Sequence, residues 1–179
     1  MQGAGQFLQL LIKEMKEYSV EKKFSKGEMI LAEGEVEKYI YYIESGAVRA
    51  FLLTEYEELT IRFGYQGSII NSLASFLSDK PSELYIEAIR KTTLKIFPKS
   101  NFYELVYATE ENLRNYASLL ELTTLKQIER EIDILTVSPN ERLRRVLERS
   151  PLLFQEIPLK YIASYLRMTP ETLSRIRNG

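Results

Sequence analysis

Apolar side chains recur along residues 6–18 at Phe7, Leu8, Leu11, Ile12, Met15 and Tyr18, with Lys13, Glu14, Lys16 and Glu17 between them. That spacing predicts an amphipathic helix. From about Val20 to Pro98 the period shortens. Alternating runs rich in aromatic and β-branched residues, such as 39–43, 48–52, 59–63 and 84–89, read as strands. Five of the eight glycines, Gly27, Gly34, Gly46, Gly64 and Gly67, punctuate this stretch, as the tight turns of a β-sandwich or barrel require. One interruption, Ile70 to Leu77, reads as a short helix.

No proline occurs between Pro98 and Pro139, and Asn101 to Val137 is dense in Glu, Leu, Lys and Arg, predicting a short helix followed by a long one. Along the long helix Leu113, Tyr116, Leu120, Thr124, Gln127, Ile128, Glu131 and Leu135 form a stripe suited to a coiled-coil seam with a second copy. Leu119, Leu122, Leu125 and Ile132 form another, expected to pack on the same chain. Ser138-Pro139 reads as a linker. The 42 residues from Ser138 onward divide at Pro151 and Pro158 into three short helices, 142–149, 159–166 and 170–178. The expected class is α+β: an N-terminal β-roll or jelly roll with its leading helix (1–109), a dimerisation helix (110–137) and a three-helix helix-turn-helix unit (138–179).

Composition narrows the chemistry. The chain has neither Cys nor His. This excludes disulfides, thiolate zinc sites and cysteine-ligated iron–sulfur clusters, and it removes the commonest general base. No spacing selects a pair of carboxylates, so neither an enzyme nor a metal site is expected. The early apolar segments are short and charge-broken, which fits neither a signal peptide nor a membrane span and points to a cytoplasmic protein. Net charge is only −1, from 24 Lys+Arg and 25 Asp+Glu. Residues 138–179, however, carry eight basic and four acidic side chains, leaving +4 there and −5 on 1–137. Such asymmetry suggests a polyanion for the basic end.

Residues 157–177, IPLKYIASYLRMTPETLSRIR, hold the most specific pattern. Two short helices flank a four-residue joint, with small Ala163 where the helices approach. Pro158 and Pro170 suit first helical positions, and Thr169 suits an N-cap. Leu173 and Ile176 share one side of the last helix, facing Ile162 and Leu166. Opposite lie Glu171, Ser174, Arg175 and Asn178, a set able to read base edges in a major groove. Arg177, with Arg167, Lys160 and Thr169, is assigned to phosphate contacts.

These residues resemble the CRP/FNR transcriptional regulators, which join a cyclic-nucleotide-binding-type β-roll, a long dimerisation helix and a helix-turn-helix. The anchors are Phe24-x-x-Gly27, Gly34, Tyr42-Ile43-x-x-Gly46-x-Val48 and Glu171-Thr-Leu-Ser-Arg-Ile176. The resemblance implies base contacts by Glu171 and Arg175, a roughly palindromic double-stranded DNA site bound by a homodimer, and RNA polymerase as a further partner. Three departures stand out. Pro170 replaces the usual first arginine of the recognition helix. Arg167 stands where the family favours glycine, at a cost of about 1–2 kcal/mol if left-handed. The end at Gly179 leaves no room for a following β-hairpin, as in a subgroup of the family.

Anchoring the family's nucleotide pocket on Gly67 and Ala88 puts Ser68 at the ribose-binding Glu, and Ser82-Glu83 at the phosphate-binding Arg and its neighbour. Both charged contacts are missing, so cyclic AMP and cyclic GMP are not expected as ligands. Haem and iron–sulfur sensing lack their Cys and His ligands. Gly67, Ser68, Asn71, Ser72, Ser82 and Glu83 remain the candidate lining for a different effector, or for none. The competing reading is a ligand-binding or protein-interaction module whose helical tail does not bind DNA.

Overall fold

The structure, a computed structural model, describes residues 2–178. Helix α1 (Gln2–Tyr18) begins four residues before the periodic stretch, because Gly3 and Ala4 pack rather than turn. A Cβ on Gly3 would come within 2.5 Å of Asn115 Oδ1, so a side chain there would make Asn115 swing aside where α1 crosses the long helix.

Eight strands follow: β1 (Val20–Phe24), β2 (Met29–Leu31), β3 (Tyr39–Ser45), β4 (Ala47–Leu53), β5 (Glu58–Tyr65), β6 (Ile69–Ile70), β7 (Tyr85–Ala88) and β8 (Thr92–Pro98). They form two antiparallel four-stranded sheets, ordered β1-β8-β3-β6 and β2-β7-β4-β5. Phe24, Leu31, Ile43, Val48, Ile86 and Leu94 fill the space between the sheets. Phe7, Leu11 and Met15 of α1 cover the outer face of the first sheet at Ile40, Tyr42 and Phe97. Strand β3 is thus buried on both faces. This accounts for the unbroken run Ile40-Tyr41-Tyr42-Ile43 where a half-exposed strand would alternate. At Gly46, φ is +93°, and a Cβ would meet Lys91 O at 2.5 Å, so the β3–β4 turn admits no side chain.

Helix α2 (Leu73–Ser78) sits within the β-roll; α3 (Lys99–Tyr107) and α4 (Glu110–Leu135) leave it. Thr109 caps α4 by accepting from Asn112 N at 3.0 Å. The remaining helices are α5 (Pro139–Arg149), α6 (Leu153–Glu156), α7 (Leu159–Tyr165) and α8 (Pro170–Asn178). The single turn α6 is absent from the sequence pattern, being too short to show a period. No described helix is long and apolar enough to cross a membrane.

The C-terminal helices do not stand apart from the β-roll. Leu143, Leu153, Ile157, Ile162, Leu166 and Leu173 share one cluster with Ala47 and Ile89, and Phe63 and Tyr65 of β5 pack on it. Ser164 of α7 accepts from Thr60 N at 3.0 Å and donates to Glu58 O at 2.8 Å. Arg49, 4% exposed, bonds Glu87 and stacks on Tyr161 at 4.3 Å. Two further links tie α4 to α5. Asp133 is fully buried and accepts from Arg145 Nε at 2.8 Å and from Arg149. Arg142 donates to Thr136 O at 2.8 Å and to the carbonyls of Leu166 and Arg167.

Helix α7 ends in a Schellman-type turn: Met168 N donates to Ala163 O at 3.0 Å, and Arg167 adopts φ +55°. The strain suggested by an arginine in this place is therefore present. Arg167→Gly is expected to stabilise the protein by about 1 kcal/mol in urea unfolding, the left-handed penalty less the extra freedom glycine gives the unfolded chain. Asp133→Ala is expected to cost about 2–3 kcal/mol. That is less than for a fully buried pair, because Arg145 and Arg149 are 29% and 33% exposed and regain water.

Candidate nucleic-acid interface

Helix α8 starts sharply because Thr169 Oγ1 accepts from Thr172 N at 3.2 Å and Pro170 needs no donor. The Thr169 hydroxyl is thereby engaged in the cap, and any phosphate contact would have to share it. Leu173, fully buried, and the partly buried Ile176 fix the rotation of the helix about its axis by packing in the cluster of Ile162 and Leu166. Glu171, Arg175 and Asn178 are exposed on the other side, and Ser174 is half-buried between them. The Glu171 carboxyl is held below the usual carboxylate range, first by its own backbone amide and then by the Thr169 hydroxyl. It faces solvent as an ionised acceptor.

The +4 surplus of residues 138–179 divides into two populations. Arg142 is spent on carbonyls, and Arg145 and Arg149 on Asp133. Arg144 pairs with Glu141 and Glu148 on the surface of α5. The other four basic residues, Lys160, Arg167, Arg175 and Arg177, are exposed. Among the described residues only Arg167 of these four approaches a carboxylate, with Nη1 3.9 Å from Glu57. Two of the four acids, Glu141 and Glu148, are neutralised within α5, and Glu156 pairs with Arg90 of the β-roll. What faces solvent around α8 is four cations and Glu171.

Helix α4 distributes its stripes differently from the expected pattern. Tyr116 turns into its own chain, its ring 5.6 Å from Phe7 and 5.4 Å from Phe102, so it does not belong to an outward seam. Leu120 and Gln127 border a cavity of the same chain. Leu125 and Ile132, expected to pack inward, lie 56% and 47% exposed. With Ile128 and Leu135, 47% and 78% exposed, they form an apolar line at steps of three, four and three. Leu113, Thr124 and Glu131 are exposed as well. The correction has a simple cause. The inward face follows Leu119, Thr123, Arg130 and Asp133, and three of these four are polar, so a search for apolar stripes assigns the wrong leucine and isoleucine to it.

The candidate effector lining does not hold together as one site. Ser72 and Ser82 are each 2% exposed, and Ser82 Oγ donates to Ser72 Oγ at 2.8 Å, closing the space between their loops. Glu83 is exposed outside it. The loop is pinned from behind by Glu37, which the sequence reading passed over. This buried carboxylate accepts from Tyr39 N and Tyr41 Oη, both at 3.0 Å, and from Ser72 N at 3.3 Å, and burial raises its pKa. Gly67, Ser68 and Asn71 instead border a separate cavity of about 690 Å³. Its other walls come from α1, β3, β5, β6, α2, α3 and α4 and from Val146, Leu153 and Tyr165 of the C-terminal helices. Nothing in the linear pattern marks this space, since it exists only where segments distant in the chain meet. Among the described residues no cluster of three or more His, Cys, Asp or Glu could hold a metal ion.

Residues 21–108 match the family model of the cyclic nucleotide-binding domain. No curated protein matches the chain. Among solved structures it is similar to FixK2 from Bradyrhizobium japonicum, with a TM-score of 0.75 and 23% identity over 89% of this chain and 83% of that one. It is also similar to a CooA variant from Carboxydothermus hydrogenoformans, with a TM-score of 0.70 and 20% identity over 93% and 77% of the two chains. A third likeness is to the c-di-GMP responsive global regulator CLP from Xanthomonas campestris, with a TM-score of 0.66 and 13% identity over 93% and 88%. The likeness extends from the β-roll through α4 into the C-terminal helices. The chain thus carries a cyclic nucleotide-binding-type β-roll within a CRP-like α+β fold.

Proposed function

We propose that this chain is a sequence-specific DNA-binding transcription regulator of CRP/FNR type, acting as a homodimer on a roughly palindromic site. The observation that carries the reading is the free face of α8. Glu171 and Arg175 are exposed on a helix whose opposite side is locked into a core, while Arg142, Arg144, Arg145 and Arg149 each have partners inside the chain. An arginine can donate two hydrogen bonds to guanine and a glutamate can accept from cytosine. Lys160, Arg167 and Arg177 supply three phosphate-binding cations per protomer. The similar protein CLP is a global regulator that links cell-cell signaling to virulence gene expression, in keeping with this role.

Dimerisation would run along α4, which is about 39 Å long. Leu125, Ile128, Ile132 and Leu135 would meet their counterparts and place two α8 helices about 34 Å apart, in successive major grooves. RNA polymerase is a further partner in this reading. Cyclic AMP and cyclic GMP are not ligands, since the nucleotide loop offers a serine pair and no arginine. The working setting is the cytoplasm.

Selection of bound duplexes from a random pool is expected to recover a two-fold symmetric site. Arg175→Ala should weaken binding to it by about 1–3 kcal/mol per half-site and relax preference at one base pair, whereas Arg177→Ala should weaken all sequences alike. An unchanged site preference in Arg175→Ala would remove the assignment. Ile128→Glu should shift sedimentation from dimer to monomer and lower DNA affinity with it. Isothermal titration with either cyclic nucleotide should give no saturable heat, and micromolar binding of either would contradict the pocket assignment.

A further inference from the structure

Arg167 sits in the left-handed turn after α7, at φ +55°, where glycine would carry no strain. Arginine in this place is a departure from the CRP/FNR pattern. Among the described residues it is also the one exposed cation of Lys160, Arg167, Arg175 and Arg177 that meets an acid, and the acid does not belong to the C-terminal helices. It is Glu57, at the tip of the hairpin between β4 and β5. Both side chains are solvated, Arg167 41% and Glu57 62% exposed, so their 3.9 Å pair is weak and open to exchange. A strained residue that offers its charge to a distant segment points to a role beyond the turn itself.

The hairpin tip is fixed in place. Thr54 Oγ1 accepts from Tyr56 N at 3.3 Å and from Glu57 N at 3.0 Å, and donates to Glu57 O at 2.9 Å, which closes the turn. Behind the tip, Glu58 O accepts from Ser164 Oγ at 2.8 Å, and Thr60 N donates to the same hydroxyl at 3.0 Å. The Glu58 carboxylate is engaged by the buried Arg49. Among the described residues Glu55 and Glu57 meet no cation of the β-roll, so the tip keeps its negative charge beside the turn that leads into α8. We infer that this tip is an internal competitor for DNA: Glu57, backed by Glu55, takes the Arg167 guanidinium that a backbone phosphate would otherwise take. A phosphate arriving at Arg167 has to displace Glu57 and then stand within a Debye length of it, about 8–10 Å. The tip cannot retreat far, because Ser164 ties its strand to the same helix that leads into Arg167. Phosphate contacts carry no sequence information, so the restraint acts on every duplex alike. Arg167 thus supplies a phosphate contact that the β-roll holds in check.

This competition rests on the DNA-binding role proposed above. It is measured with the full chain, by fluorescence anisotropy, on a selected duplex and on a scrambled one at low and at high salt. Glu57→Gln should tighten binding to both duplexes about two- to fivefold per protomer at low salt, the range of an exposed ion pair. The gain should shrink as salt screens the charges. Glu104→Gln removes an equal charge from the exposed surface of α3 and should leave affinity unchanged. In an Arg167→Gly background Glu57→Gln should give no gain, which a double-mutant cycle reads directly. All three positions are exposed or half-exposed, and circular dichroism checks that each variant folds. Equal affinities of Glu57→Gln and Glu104→Gln would overturn the inference, as would an undiminished gain in the Arg167→Gly background. In either case, binding of the selected duplex that is lost in Arg175→Ala would leave the DNA-binding role standing. Failure of the wild type and of every variant to bind either duplex would instead remove that role, and the competition with it.

Discussion

Arg142 joins three elements that have to keep a fixed relation if α8 is to face outward. Its guanidinium, 9% exposed, donates to the carbonyl of Thr136 at the end of α4 and to those of Leu166 and Arg167 at the end of α7. Helix C-termini leave carbonyls without intrahelical donors, and their partial negative charge favours a cation. Here one side chain from α5 satisfies two such ends. No neutral residue has enough donors in a plane for this, and lysine has no planar fork to span both sites. The strained left-handed turn at Arg167 is tolerable in this setting, since its carbonyl is one that Arg142 holds.

Around that joint, charge is sorted by job. Asp133 takes Arg145 and Arg149, and Arg49 is sandwiched between Phe51 and Tyr161 while bonded to Glu87. Each of these pairs crosses from one segment of the fold to another. The arginines left over are of two kinds: those around α8, which meet water, and Arg62 and Arg130, which meet a cavity. A net charge near zero conceals this division. Counting by segment finds the basic region, but only the contacts separate arginines paired inside the chain from those left without an acidic partner among the described residues.

The elements with a clear period were legible in the sequence: α1, the hairpin strands β3 to β5, the long helix and the paired short helices. The exposed polar face of α8 was legible too, because the angular positions of Leu173 and Ile176 determine which residues lie opposite. The polar contacts were not. Asp133 and Arg130 occupy the inward face of α4, and a hydrophobicity pattern assigns charged residues to water, so Leu125 and Ile132 were placed inward in their stead. The buried serine pair Ser72–Ser82 and the carboxylate of Glu37 escaped for the same reason, as turn-forming polar residues whose burial depends on strands far away in sequence. The α7–β5 contact through Ser164 lies 104 residues from its partner Thr60, beyond any local pattern.

The β-roll, the long helix and the docked helix-turn-helix thus make one scaffold that presents the exposed polar face of α8, the surface proposed to read DNA. The most direct measurement is hydroxyl-radical footprinting of a selected duplex at low salt. The account predicts two protected windows centred about 10 base pairs apart, or a multiple of one helical turn, on the same face of the duplex and related by two-fold symmetry. A single window, or no protection at a protein concentration where the dimer is fully formed, would contradict it.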